Sequence, residues 1–124
     1  MKIKNCLAYT AGPYRSKQGI YGIKRNIDVA ESVAGTLWKH GIPAICPHKN
    51  TGLMDGVIGE NDADAWLKGD LVMLARCDLI VMIPGWERSE GDNAEKVYAE
   101  ERGIPVFYWP RDLDEIIMFA DKTA

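Results

Sequence analysis

An α/β fold with a parallel, doubly wound sheet is the class this sequence predicts, on three observations. Apolar strand-like runs alternate with helical patterns, which implies right-handed crossovers between parallel strands. The run Leu79-Ile80-Val81-Met82-Ile83 is apolar throughout, as a central strand covered on both faces has to be. No repeat, low-complexity tract or linker interrupts the 124 residues, so one three-layer domain over 1–124 is expected.

The elements follow in order. Strands are predicted over Ile3 to Thr10, Pro43 to Cys46, Asp78 to Ile83 and Ile104 to Trp109. Ile27, Ala30, Val33, Ala34, Leu37 and Trp38 repeat with a period of 3.6 and mark a first helix that His40-Gly41 ends. Ala63, Trp66, Leu67, Leu71 and Leu74 mark a second, with Asp62 as its expected cap. Ala94, Val97 and Tyr98 mark a third, closed by Arg102-Gly103, and Leu113 to Ala120 a terminal one. Residues 47–61 have no period and read as a lid or binding loop.

Composition narrows the class of function. Hydrophobic residues make up 47% and charged residues 27%, ordinary values for a soluble globular chain. A net charge of −3 argues against a general nucleic-acid binder while leaving room for a local cationic pocket. Cys6, Cys46 and Cys77 are odd in number and far apart, so free thiols in a reducing cytoplasm are expected. No cluster has metal-ligand spacing, so neither a metal nor a cofactor is expected. The first residues carry no secretory signal and no run has membrane-spanning length, so no membrane partner is expected.

Three segments carry candidate chemistry. Ser89-Glu90-Gly91-Asp92-Asn93-Ala94-Glu95 follows the apolar strand, at the crevice where open α/β sheets bind ligands. Glu95 there is a candidate site carboxylate. With Asp92 as N-cap it also reads as the third residue of a capping box. Asp70, four residues after Trp66 and three after Leu67, points with the apolar stripe of its helix, or, if the helix is rotated, sits wet at the boundary. Two converging carboxylates are the equipment for cleaving a glycosidic bond. From Ala11 to Arg25 the chain carries Arg15, Lys17, Lys24 and Arg25 and no acid; Gly12 allows a tight turn there and Arg15 can hold a phosphate. The same cations also read as a solvated surface. The dinucleotide glycine fingerprint and the phosphate-loop lysine motif are absent. Tyr9, at the end of the first strand, is placed to reach the site or simply to pack; His48 is a ligand contact or incidental; Trp86 stacks on a base or covers an edge.

These motifs resemble the nucleoside 2-deoxyribosyltransferase superfamily, particularly its small bacterial and phage-type branch, and are similar to those of the 2′-deoxynucleoside 5′-phosphate N-hydrolases. The likeness runs from Ile3 to Trp109. It rests on Tyr9-Thr10-Ala11-Gly12-Pro13-Tyr14-Arg15, on Asp70 through Cys77-Asp78-Leu79-Ile80-Val81, and on Ser89-x-Gly91-x-x-x-Glu95. The resemblance implies that Glu95 is the nucleophile on the anomeric carbon, with Asp70 holding the sugar and the nucleophile in geometry and assisting base departure, and Tyr9 orienting the glutamate or the sugar. It further implies that Arg15 and Ser89, with backbone amides near the start of the third helix, cradle a 5′-phosphate and that His48 lies beside the nucleobase; Gly12 and Gly91 are further candidate substrate contacts. A helix N-terminus near Glu95 is expected to keep it ionised. Pro13 stands where the hydrolases have a hydroxyl residue, and Pro84-Gly85-Trp86-Glu87-Arg88 puts an aromatic at the mouth.

The resulting expectation is a flavodoxin-like domain of sheet order 2-1-3-4 that cleaves the N-glycosidic bond of a nucleoside 5′-monophosphate, hydrolysis ahead of base exchange. A deoxyribosyltransferase acting on free nucleosides, a non-catalytic nucleotide sensor and an oligomeric structural protein are the competing readings. Val72 and Met73 add apolar surface to the second helix, from which a homodimer or higher oligomer is expected.

Overall fold

The computed structural model describes residues 1–59 and 62–123. Its elements are β1 (Ala8–Ala11), α1 (Ile20–Lys39), β2 (Ala44–Ile45), α2 (Pro47–Thr51), α3 (Ala63–Leu74), β3 (Leu79–Met82), α4 (Glu90–Glu101), β4 (Val106–Tyr108) and α5 (Leu113–Lys122), with a short 3-10 turn at Trp86–Arg88. The four strands form one sheet in the order β2-β1-β3-β4, every pairing parallel, with Tyr9 opposite Ile80 and Val81 opposite Phe107. This is the flavodoxin-like α/β arrangement expected from the pattern of alternating elements.

Strand alternation divides the core into two layers. Ala8, Leu79, Val81 and Ile83 face Ala30, Val33 and Leu37 of α1 and Ile116 and Ala120 of α5. Tyr9, Ala11, Ile80 and Met82 face the other way, against Leu74 of α3 and Ala99 of α4. β3 lies between β1 and β4 and its four residues are fully enclosed, which is why its sequence is uninterruptedly apolar.

The regular elements differ from the sequence expectation at their ends. β1 is confined to Ala8–Ala11 instead of starting at Ile3. Upstream the chain is tied elsewhere: Lys4 N–H donates to Gly41 O, Ile3 is exposed, and Leu7 N–H donates to the Asp78 carboxylate. Trp38 is half-exposed, its indole N–H donating to Ala44 O across 3.2 Å, so it borders β2 and does not belong to the buried stripe. Asp62 precedes α3 without a side-chain cap bond; its carboxylate accepts from Gly56 N–H instead. On α3, Val72 is exposed but Met73 is partly buried against the core. The segment expected to be irregular from 47 to 61 contains a helical turn, α2, started by Pro47 at its first position. Residues 60 and 61 of that segment lie outside the described residues. Among the described residues no helix is long and apolar enough to cross a membrane, and the three cysteines are free.

Candidate active site

The carboxyl ends of β1 and β3 open into a cleft of about 1140 Å³, walled by the β1–α1 loop, α2, α3 and the start of α4. Its position follows from topology: β1 and β3 are the neighbours whose crossovers leave on opposite faces, the switch point of a doubly wound sheet. Gly12 lets the chain leave β1 tightly, since a Cβ on it would stand 2.9 Å from Ile83 Cβ. Gly85, at φ 98°, turns the chain out of β3 in the left-handed region before the 3-10 turn.

Glu95 lies on the floor of the cleft at 5% exposure. Tyr9, wholly enclosed on the α4 side of β1, donates its hydroxyl to Glu95 Oε2. Tyr9 itself is buried behind the cleft wall and reaches the site only through that bond. Asp70 lines the same cleft from α3, half-buried beside Trp66 and Leu67, so the face that reads as a core stripe borders the cleft. The buried residue of α3 is Leu74.

The helix cap is assigned differently from the sequence expectation. Ser89, not Asp92, is the N-cap of α4: its hydroxyl oxygen accepts from Asp92 N–H at 3.2 Å. Glu95 is therefore the sixth helical residue, beyond the first turn where the helix dipole acts strongly. Burial pushes the Glu95 carboxyl well above the usual range; the Tyr9 hydrogen bond opposes this, and the charges of Asp92 and Asp70 reinforce it. The expected ionisation of Glu95 by the helix terminus is thus overturned. Burial alone raises Asp70 to about 6. Asp92, 3% exposed, is also raised by burial, against hydrogen bonds from Glu95 and Ser89.

The residues expected to bind substrate divide into two groups. Gly12, Arg15, His48, Ser89 and Gly91 all line the cleft. Gly91 leaves open space in the wall, since a Cβ on it would meet only Ser89 Oγ at 3.9 Å. Arg15 is exposed, stacked on Tyr14 and ion-paired with Asp55, which ties the β1–α1 loop to the loop after α2. Tyr14 strengthens that tie by accepting Leu53 N–H at 2.7 Å. His48 Nε2–H donates to Pro13 O at 2.8 Å, and burial lowers its pKa, so a neutral imidazole braces the loop. Trp86 stands apart from this cleft. It packs on Tyr108 at 5.8 Å between ring centroids, under Lys96, in a smaller hollow past β3 and β4. The aromatic side chains that do line the cleft are Tyr14 and Trp66, with the His48 imidazole. Of the cations between 11 and 25, Arg15 and Lys17 reach the cleft; Lys24 and Arg25 are exposed on α1, which starts at Ile20.

The sequence reading missed Trp66, Arg88, Asp55 and Asp92 as site residues. Trp66 was detectable from its i, i+4 relation to Asp70, and Asp92 from its i, i+3 relation to Glu95. Arg88 follows a left-handed glycine, and Asp55 sits in an aperiodic loop, so no pattern marks either of them.

Fold and site define an α/β protein with a carboxyl-floored, cation-rimmed cleft at the switch point of its sheet. The family model described as Domain of unknown function (DUF4406) matches residues 8–108, from the first residue of β1 to the last of β4, and the chain belongs to that family. No curated protein matches the chain.

Proposed function

We propose that this protein cleaves the N-glycosidic bond of a nucleoside 5′-monophosphate, with Glu95 as nucleophile and water ahead of a second base as acceptor. The observation that carries the reading is the meeting of Glu95, anchored by Tyr9, with Asp70 in one cleft. Retaining glycosidases need such a pair, one acid to bond the anomeric carbon and one to manage the leaving group's proton. Asp70, raised to about 6, holds a proton over part of the neutral range and suits the second role. Trp66 offers a stacking face for a base. Ser89, Arg88, Lys17 and Arg15 at the rim provide donors for a phosphate. Among the described residues, Lys17 and Arg88 have no acidic partner, whereas Arg15 must leave Asp55 or bridge to the ligand beside it.

The reading extends the resemblance to the nucleoside 2-deoxyribosyltransferase superfamily. The burial of Glu95 favours one competitor: it disfavours the charged form, and an uncharged Glu95 is a poor nucleophile, which suits a nucleotide sensor that never turns over. A panel of nucleoside monophosphates, incubated with wild type and Glu95→Gln and separated by chromatography, decides between them. The glycosidase reading expects free base and sugar phosphate from wild type, reduced about 10³-fold or more in the variant. Binding by both proteins without any product would favour the sensor. Base exchange in place of sugar phosphate release would make the enzyme a transferase.

A further inference from the structure

We propose that Asp92 is the proton store for Glu95: the two carboxyls, one turn apart on α4, hold a single proton between them, and its passage from Glu95 to Asp92 frees Glu95 to attack. This rests on the glycosidase reading above. Asp92 is 3% exposed, and its Oδ2 is fully enclosed without a hydrogen-bond partner among the described residues. An enclosed carboxylate oxygen left bare is costly, so a native structure provides it with a donor. The candidate donor is the Glu95 carboxyl, itself buried and one helical turn further along α4. Two carboxyls can bond to each other only through a shared proton.

Among the described residues, the other groups facing Glu95 leave it no cation. β1 supplies the Tyr9 hydroxyl and α3 the Asp70 carboxyl. β3 is wholly apolar, and Tyr108 of β4 is occupied by Trp86 and Arg111. Glu87 and Arg88 of the 3-10 turn are exposed. Burial raises both carboxyls, and in the proposed pair the resting proton lies on Glu95, with its O–H directed to the Asp92 carboxylate.

Transfer converts a Glu95 acid and an Asp92 carboxylate into a Glu95 carboxylate and an Asp92 acid, with no change in total charge. Glu95 then bonds to the anomeric carbon as the bond to the base nitrogen breaks. The electron pair leaves with the base, which takes a proton from Asp70. Water next attacks the anomeric carbon, gives its proton to Asp70, and releases the Glu95 carboxylate, which recovers its proton from Asp92. Asp92 never touches the reacting atoms in this scheme and is a positioning residue that sets when the nucleophile is charged.

Carbon-13 NMR titration of the side-chain carboxyls in the ligand-free protein tests the pair without any turnover. Wild type is expected to show mutually dependent, two-step curves for Asp92 and Glu95. In Asp92→Asn the Glu95 midpoint is expected to shift down, because the accepting charge is gone and the amide donates to the carboxylate. Independent single-step curves in wild type overturn the proposal, and so does an unmoved Glu95 midpoint in the variant. The wild-type curves decide alone should the variant fail to fold. With a cleaved nucleotide in hand, the acid limb of kcat/KM is expected to move to lower pH in Asp92→Asn, whereas a merely structural Asp92 leaves it in place. Absence of turnover on every nucleotide overturns the glycosidase reading while the titration still reads the pair.

Discussion

Tyr9 and Asp70 separate what holds the site together from what makes it reactive. Removing the Tyr9 hydroxyl leaves a buried Glu95 oxygen without its donor, so Tyr9→Phe is expected to lower stability by about 1 kcal/mol in urea unfolding. The same change removes the one hydrogen bond that favours the charged form, so the Glu95 midpoint is expected to rise. An unchanged midpoint would mean that the hydroxyl packs without steering the carboxyl. Asp70 gives the opposite lesson. Its carboxyl is raised to about 6, so the folded state binds its proton more tightly than the unfolded chain. The stability it contributes is complete below the ordinary aspartate range and is lost as pH rises through about 6. Asp70→Asn is therefore expected to flatten that part of the pH dependence of Tm, with its gain over wild type largest near neutrality. A pH profile parallel to wild type would contradict the burial of Asp70 in the cleft wall.

At the scale of elements, the start of α4 and the exit from β1 are built for different ends. Gly91 on α4 faces open cleft, with room for a methyl group. Gly91→Ala is expected to stabilise the helix by up to about 1 kcal/mol while weakening nucleotide binding, measured by calorimetry on the same preparation. Gly12→Ala is expected to destabilise by about 1–3 kcal/mol, because its Cβ would press on Ile83 in a packed core. Equal binding by Gly91→Ala and wild type would remove Gly91 from the ligand wall. The contrast also explains what the sequence made legible. The central strand was readable because burial on both faces leaves an unbroken apolar run, and the sheet order because alternation allows few topologies. The ends of β1 were not, since Ile3 and Leu7 suit a strand chemically while the Lys4 and Leu7 N–H groups bond to Gly41 O and the Asp78 carboxylate. The cap of α4 was misassigned because Ser89 and Asp92 are both good capping residues, and only the backbone angles at Ser89 decide between them.

For the whole molecule, the site depends on how α3 and α4 are laid against one face of the sheet. That packing brings carboxyls from two helices and a hydroxyl from β1 to one floor, and leaves the cations on mobile-length side chains at the rim. Glu95 and Asp70 were legible because each is a carboxylate at a position its helix turns toward the sheet. Arg88 and Asp55 were not, because one follows a left-handed glycine and the other sits in an aperiodic loop, and only the folded chain brings them to the cleft. The match of the DUF4406 family from β1 to β4 covers every element that lines the cleft. The most direct measurement is the release of base and sugar phosphate from a panel of nucleoside 5′-monophosphates by wild type and Glu95→Gln. The account predicts cleavage of at least one nucleotide by wild type and a loss of about 10³-fold or more in the variant. Cleavage undiminished in Glu95→Gln, or none by wild type on any nucleotide that it binds, would contradict it.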